Sequence, residues 1–496
     1  MQKHVLAIDL GASSGRAILG QYRDGQLGLS EVHRFPNDPV AVGGELYWDF
    51  LRLFHEIKQG LRHAGRVDSA GIDTWAVDYG LLDGAGRLLA NPYHYRDRRT
   101  DGIADRVYES VPARELYART GIQYAPFNTV FQLCADLWQR PETLKQARHM
   151  LLLPDLIGYY LTGQMGAEYT NASTTALLGV HTRGWDRELC GRLSLPARLF
   201  LPLRQPGSEL GVLTPALQEE LLLSAVPILS VASHDTASAV AALPLEEGEE
   251  CPAYISCGTW SLFGTELPAP LANEEARALN FTNEGGVNGT VRFLKNIMGS
   301  WLIQESRRQW EKEGHSLSFS DLEELAQREE PYRSFIDVDD PVLIQPGDIP
   351  SRIKSLCARS GQPVPEGIGQ VTQCIYSSLA MKYRLTLDQL GQVTGRRFPL
   401  LHMIGGGIQS KLLCQMTADC TAIPVEAGPV EATALGNIAV QLTALRALPD
   451  LAAARRCIRR SFPVARYLPR GDTLQQKIRY LQYQKAVLPP KKGAVI

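Results

Sequence analysis

The sequence predicts an α/β protein of two large domains, on three observations. At 496 residues the chain is too long for one ordinary core. Its first stretch, residues 4–82, reads β-β-β-α-β, a sheet that begins as a meander and continues past a helix. A turn built from Gly, Thr and Ser between strand-like runs then recurs roughly half a chain later, the pattern of a duplicated unit.

Each element has its own signal. His4 to Leu10 is strand-like, with Val5-Leu6-Ala7-Ile8 as a buried run. Arg16 to Tyr22 follows a Gly/Ser turn, and Asp24-Gly25 marks a two-residue hairpin that leads into a third strand, Gln26 to Phe35. Trp48, Leu51, Phe54, Ile57 and Leu61 recur at three- and four-residue spacing and predict a helix. Ala70 to Leu82 reads as one further strand.

The polar, turn-rich stretch "LPLEEGEECPAY", with Pro244, Glu246, Glu247, Gly248, Glu249 and Glu250, predicts a boundary between domains 1–243 and 244–496. Beyond it, Ile255 to Gly264 repeats the opening design, placing Gly258, Thr259 and Ser261 between apolar runs. Val371, Ile375 and Leu379 mark a helix, and Pro399 to Ile404 a buried strand ending in Gly405-Gly406-Gly407. Helices are expected from Gln409 to Asp419 and, after Pro429, from Glu431 to Leu445.

Composition narrows the function classes. Hydrophobic residues make up 44% and charged residues 21%, a globular balance. The net charge of −2 gives no electrostatic reason to expect nucleic acid or an anionic membrane as a partner. No apolar run reaches the ~18 residues of a membrane span. Met1-Gln2-Lys3-His4 passes straight into a strand, so a cleavable leader is not expected. The nine cysteines include no C-x-x-C pair and read as small buried hydrophobes of a reducing cytoplasm.

Gly11-Ala12-Ser13-Ser14-Gly15 matches G-x-S-x-G, the nucleophile elbow of serine hydrolases. An elbow needs a helix after the Ser and an oxyanion loop from an earlier strand. Here a strand and a hairpin follow, and only ten residues precede Gly11. Two readings remain: a plain structural hairpin, or a turn whose backbone N–H groups hold a phosphate. The second gains from Ser13 and Ser14 as donors and Arg16 as a charge. Asp9, at the end of the first strand, could hold Mg²⁺ through water. No G-x-x-x-x-G-K-[ST] and no G-x-G-x-x-G occurs, which disfavours a P-loop or a Rossmann site.

The chain resembles a known family. "AIDLGASSGR", "GIDTWAVDYGLLD", "YRDRRT", "GIQYAPFNTVFQL", "ASHDTASAV", "ISCGTWSLFG", "LKNIMGSWLIQ", "IGGGIQSKLLCQMTADC" and "AGPVEATALGNI" occur in the order seen in FGGY carbohydrate kinases, over nearly the whole chain. The resemblance implies two actin-like, RNase H-type domains with ATP and sugar in a central interdomain cleft; closure of the halves about the region near Pro244 is expected because a kinase must keep water from its site. It implies ATP-dependent phosphorylation of L-rhamnulose to L-rhamnulose 1-phosphate in L-rhamnose catabolism, with Mg²⁺, in the cytoplasm, by a monomer or homodimer. Carried over by position, Ala12, Ser13, Ser14, Gly15, Arg16 and Thr259 contact the ATP phosphates. Gln304, Gly405, Gly406 and Gly407 hold the rest of the nucleotide. Ala76, His234, Asp235, Thr236 and Asn296 line the sugar pocket, and Asp235 is the proton acceptor. Position 76 is Ala where relatives typically carry Gly, which bears on the sugar preferred.

The residues also support this chemistry by themselves. Phosphoryl transfer needs an in-line hydroxyl, charge neutralisation and an oriented base. Asp235 follows the apolar run Ile228 to Ala232, a strand end of the kind where α/β proteins place site residues. Its alternative role is a helix N-cap, since Thr236 to Ala241 is helix-compatible. Gly405 to Gly407 could admit a flat ligand or form only a tight turn. Trp75 and Tyr79 are expected in the core. Arg96, Arg98 and Arg99 read as a solvated loop balanced by Asp97 and Asp101. The rivals are an FGGY kinase for another ketose or a linear polyol-like signal molecule, and a non-enzymatic actin-like ATP switch that needs no base at position 235.

Overall fold

The hairpin that opens the chain organises the first sheet. In the computed structural model, which describes residues 2–246, 249 and 252–488, β1 (Gln2–Leu10), β2 (Ser14–Arg23) and β3 (Gln26–Pro36) form an antiparallel meander. Asp24 and Gly25 both take positive φ, 49° and 83°, as a two-residue turn matched to strand twist requires. α1 (Phe50–Ala64) then returns the chain to β4 (Ser69–Thr74), which pairs parallel with β1 in register Asp9 to Asp73. β5 (Glu209–Val212) and β6 (Pro227–Leu229) complete the sheet, in the order β5-β6-β4-β1-β2-β3. β6 is parallel to β4, and α2 (Asp235–Ala241) follows it.

Two expectations need correcting. The predicted strand Ala70 to Leu82 is broken at Trp75–Asp78: Ser69–Thr74 stays in the main sheet, whereas Tyr79–Leu82 pairs with His149–Leu152 in a separate ribbon. Apolar runs carry no mark of such a break, which arises from the tight turn described below. In α1, Leu51 is 73% exposed, because Phe50, Leu53, Ile57 and Leu61 take the core face instead. Of the five predicted positions Leu51 alone is exposed: Trp48, Ile57 and Leu61 are buried, and Phe54 packs partly buried against the core.

The chain divides into two compact units that are discontinuous in sequence. The first comprises Met1–Cys251, Thr265–Leu294 and Glu431–Pro463; the second comprises Pro252–Gly264, Lys295–Val430 and Val464–Ile496. Of the expected linker around Pro244, residues Glu247, Gly248 and Glu250 lie outside the described residues.

The second sheet repeats the first in topology. β7 (Ala253–Cys257) and β8 (Trp260–Leu267) form an antiparallel hairpin, and β9 (Val291–Met298) lies beside β8. α3 (Trp301–Lys312) follows. β10 (Leu401–Ile404) is then parallel to β7, β11 (Val425–Ala427) is parallel to β10, and β12 (Ala465–Tyr467) is antiparallel at the edge. A meander followed by two parallel strands and an antiparallel edge thus occurs twice. The helix predicted at Gln409 to Asp419 spans Lys411–Thr421, preceded by one 3₁₀ turn, and the last predicted helix spans Ala432–Ala444.

In the first unit that Ala432–Ala444 helix packs against α2. A Cβ on Gly436 would stand 1.7 Å from the Ser238 carbonyl oxygen, so no larger residue fits this crossing. All eight described cysteines are buried and free, Cys414 and Cys420 among them. No described helix is long and apolar enough to cross a membrane.

Candidate functional site

The C-terminal ends of three neighbouring parallel strands gather carboxylates in the first unit. Asp9 ends β1, Asp73 lies beside it on β4, and Asp235 follows β6, whose line is extended by a parallel bridge from Thr74 to His234. Asp9 and Asp73 are buried, at 3% and 0% exposed, whereas the Asp235 side chain is 29% exposed. Arg16, opposite Asp9 across the hairpin, donates to Asp9 Oδ2 at 2.6 Å and also pairs with Glu431. Burial works against the Arg16 charge, but the two carboxylates outweigh it and hold its pKa above the usual value.

Asp73 is differently placed. Burial, with the charges of Asp9 and Asp235, pushes its pKa well above the usual carboxylate range, against one hydrogen bond from Asn437. That bond runs from Asn437 Nδ2 to Asp73 Oδ2 at 2.5 Å, and Asp73 Oδ1 has no partner. Asn437 belongs to a buried polar chain: Gln441 Nε2 donates to Asn437 Oδ1 at 2.7 Å and to the Leu6 carbonyl at 2.9 Å, and Ser69 donates to Gln441 Oε1. The sequence reading missed Asp73, Asn437, Gln441 and Glu431. Only the parallel pairing of β1 with β4 brings Asp73 to Asp9, and no local spacing encodes that pairing.

Asp235 is the first residue of α2, and His234 occupies the cap position without a side-chain capping bond. The N-cap role is therefore not what holds Asp235 in place. Thr236 Oγ1 donates to Asp235 Oδ1 at 3.0 Å, and His234 Nε2 lies 3.4 Å from the same oxygen. Burial raises the Asp235 pKa and the charge of Asp9 adds to the shift, while His234 and Thr236 oppose it. The strand end itself is anchored by Glu168, which accepts from Ser233 Oγ at 2.6 Å and from Thr170 Oγ1 at 2.6 Å.

The first turn is closed by Gly11 N–H to the Ser14 carbonyl at 2.9 Å, with Ala12 and Ser13 at its tip. Asn37 buttresses it, donating from Nδ2 to the Gly11 carbonyl at 2.8 Å and from its backbone to Ser13. Gly15 has a packing reason of its own, since a Cβ there would stand 2.2 Å from the Phe35 ring. Gly11 meets only the Ser14 carbonyl, at 3.4 Å, so the open face of the turn is Gly11 to Ser14.

Ala76 sits in the break between β4 and the Tyr79–Leu82 strand. Asp78 N–H donates to the Ala76 carbonyl at 3.0 Å around Val77, whose φ is 70°. This is a γ-turn with a β-branched residue at positive φ, a strained arrangement. It is held from outside: Thr129 donates to the Val77 carbonyl at 2.7 Å, and Asp78 Oδ2 accepts from both Trp48 Nε1 (2.7 Å) and Trp75 Nε1 (2.9 Å). Trp75 and Tyr79 are core residues, as expected. The arginine cluster, to which the sequence assigns no role, is a solvated loop at one of its three positions only. Arg96 is buried, and the Arg99 side chain is 7% exposed, against Asp136 at 2.7 Å and over the Tyr93 ring at 4.3 Å. The Arg99 charge is matched by Asp136, far along the sequence, and not by Asp97 or Asp101. Arg98 alone is solvated.

In the second unit, Thr259 lies in the turn between β7 and β8. Its carbonyl accepts from Gly299 and Trp301, and Ser300 Oγ donates to the Gly258 carbonyl at 2.6 Å. Gln304, in the first turn of α3, donates to Ser300 Oγ at 3.1 Å and so stands against this turn. The three glycines that end β10 differ in kind. Gly405 has φ 87° and Gly407 has no room for a Cβ, which would meet Cys257 Cβ at 2.8 Å; Gly406 is exposed, with nothing within 4 Å. Asn296 is the half-buried residue of the otherwise buried β9.

Among the described residues no group of three or more His, Cys, Asp or Glu side chains could cage a metal. The donor set at Asp9 suits a largely hydrated divalent ion that takes most of its ligands from water and phosphate oxygens.

Comparison with known proteins agrees with this architecture. The chain is 43% identical to a rhamnulokinase of Bacteroides thetaiotaomicron over 98% of this chain and 100% of that protein. It is 42% identical to one of Enterococcus faecalis over 97% of each. Among solved structures, a ligand-bound xylulose kinase of Lactobacillus acidophilus matches with TM-score 0.77 at 16% identity, over 98% of this chain and 96% of that one. Plasmodium falciparum glycerol kinase with ADP matches with TM-score 0.75 at 15% identity, over 98% and 97%. These likenesses show the α/β, two-domain actin-like fold. The family models for the FGGY N-terminal and C-terminal domains match residues 4–242 and 253–445, and with relatives of this identity along its whole length the chain belongs to the FGGY family of carbohydrate kinases.

Proposed function

We propose that this protein transfers the γ-phosphoryl group of ATP to the O1 hydroxyl of L-rhamnulose, giving L-rhamnulose 1-phosphate and ADP. The observation that carries the reading is identity of 41–43%, over nearly the full length, to several rhamnulokinases. In this reading Asp235 accepts the hydroxyl proton as the O1–P bond forms and the bond from the γ-phosphorus to the β-phosphate bridging oxygen breaks. A partly exposed carboxylate with a raised pKa, not used as a cap, suits that role. His234, Thr236, Asn296 and the backbone at Ala76 bind and orient the sugar. Ala12 to Arg16 and Thr259 hold the phosphates, and Gln304 with Gly405 to Gly407 holds the remainder of the nucleotide. Mg²⁺, when bound through Asp9, supplies charge neutralisation on the transferring phosphates. Arg16 keeps the Asp9 carboxylate oriented through their 2.6 Å contact.

A coupled ADP-release assay across ketoses tests this. Rapid ADP formation with L-rhamnulose alone is the expected result, and slow ATP turnover indifferent to sugar refutes it. A second reading, an FGGY kinase for a different ketose, is favoured by the Ala76 methyl in an externally held γ-turn, at a position where the family resemblance leads to the expectation of Gly. Fast turnover with another ketose and none with L-rhamnulose would establish that alternative.

A further inference from the structure

Behind the Asp235 corner lies a charge pair that nothing above has used. Glu284 and Arg292 stand directly opposite each other on the Thr282–Gly285 and Val291–Leu294 segments of an antiparallel hairpin, within the first unit. Arg292 is fully buried and Glu284 is 4% exposed. Arg292 Nη1 forms an ion pair with Glu284 Oε2 at 3.1 Å that is not aligned as a hydrogen bond, and Arg292 Nε donates to the Gly285 carbonyl at 2.8 Å. The remaining arm, Nη2, stands 3.0 Å from His234 Nδ1. Burying such a pair is generally no more favourable than filling the space with apolar side chains. Its value lies in what it does to the imidazole.

A guanidinium N–H can only donate, so a contact from Nη2 makes Nδ1 the acceptor. Glu284 Oε2 is also 3.3 Å from Nδ1, but a proton on Nδ1 would face the Nη2 proton across the shorter contact. The other neighbours of His234 do not compete for Nδ1. Its backbone N–H donates to Thr170 Oγ1 at 3.3 Å, and its Nε2 faces Asp235 Oδ1. We infer that Arg292, held by Glu284, is a positioning residue that fixes His234 as the neutral Nε2–H tautomer, so that His234 and Thr236 both donate to Asp235 Oδ1 and leave Oδ2 as the oxygen that takes the substrate proton.

The inference deepens the kinase reading and rests on it only for the last clause. The Nε2 contact of 3.4 Å is long, as catalytic contacts often are before substrate binds. With the tautomer reversed, Nε2 would present a lone pair to a carboxylate and push Asp235 out of line. Orienting a histidine through its far nitrogen is a general device.

The test reads the tautomer first, by long-range ¹H–¹⁵N NMR on the full chain labelled at histidine, without sugar or nucleotide. His234 is assigned by loss of its signals in His234→Gln. The expected result is an unprotonated Nδ1 and a protonated Nε2, kept in Arg292→Lys and lost in Arg292→Met. The double variant Glu284→Met/Arg292→Met leaves no unpaired buried charge and guards against simple misfolding. In the Met variants the KM for the sugar is expected to rise about tenfold, the worth of one aligned hydrogen bond, with the KM for ATP within about twofold. An Nδ1–H tautomer in the wild type, or Met variants that keep the tautomer and the sugar KM, overturns the inference. If the tautomer is as expected but no ketose is phosphorylated, the kinase reading fails and the assignment of Arg292 stands.

Discussion

Replacing Asp235 with Asn separates the chemistry from the fold. The change is isosteric and removes the proposed proton acceptor while keeping one side-chain oxygen for Thr236, now 3.0 Å away. Losing a positioned general base costs about 10²–10⁴ in rate, or roughly 2.7–5.4 kcal/mol of transition-state stabilisation. Nothing comparable is lost in the folded state, because Asp235 is not the helix cap and its side chain is 29% exposed. The sign of the stability change follows from its pKa, which is raised, first by burial. The folded state therefore binds this proton more tightly than the unfolded chain. The associated stability is present below the unfolded pKa and is lost as pH rises through the folded one. At neutral pH the ionised Asp235 is thus a net cost, and Asp235→Asn should leave Tm unchanged or raise it. Wild-type kcat/KM should fall as pH drops through the raised pKa, at a midpoint above the usual 3.8. Coupled ADP release gives kcat, titration calorimetry with a non-hydrolysable ATP analogue gives nucleotide affinity, and a thermal melt gives Tm. Turnover within tenfold of wild type, or a lower Tm with lost nucleotide binding, would refute the reasoning.

Two further outcomes are expected. Asn437→Leu removes the donor to Asp73 Oδ2 and leaves both oxygens of a fully buried carboxyl without a hydrogen-bond partner among the described residues, so stability should drop by about 1–3 kcal/mol. An unchanged urea midpoint would count against the Asn437 bond as support for Asp73. Gly407→Ala forces a Cβ to 2.8 Å from Cys257 Cβ and should destabilise by about 1–3 kcal/mol, whereas Gly406→Ala meets nothing within 4 Å. Gly406→Ala should therefore keep the wild-type melting temperature and raise only the KM for ATP; equal destabilisation by both variants would contradict this division of labour.

How much of this was legible beforehand depends on the range of the interaction. The opening meander, the Asp24-Gly25 hairpin and the helix at 432–444 were readable because turn chemistry and apolar periodicity are local. The residues around Asp9 and Asp235 were approached through motif and resemblance, and the structure gives them neighbours that no spacing announces. Asp73 reaches Asp9 by parallel pairing across about sixty residues of chain. Asn437 and Arg292 come from segments far downstream of the strands they serve. The break at Trp75–Asp78 was invisible because apolar residues continue through it. What makes it is Thr129, with Trp48 and Trp75 converging on Asp78, and none of these marks a turn in sequence. Gly15 is a further case. Beside the phosphate contact proposed for it, it has a packing reason that no spacing announces, since a Cβ there would stand 2.2 Å from the Phe35 ring.

The duplicated topology gives the two sheets the same local arrangement with different residues on it. In both, the first hairpin strand pairs parallel with the strand that follows the meander, so both place a turn and a strand end side by side. In the first unit these ends carry Asp9, Asp73 and Asp235; in the second they carry Thr259 and Gly405 to Gly407. Gathering three carboxylates at one sheet edge is unfavourable, and the raised pKa values of Asp73 and Asp235 record it. Arg16 and Asn437 offset that cost only in part, since Asp73 Oδ1 keeps no partner. A fold under selection for stability alone would replace at least one of these acids, as the second copy of the same backbone does. On the proposed reading, retaining all three suits a phosphoryl-transfer site, where charge is matched to an incoming polyanion and its cation and not to the protein alone.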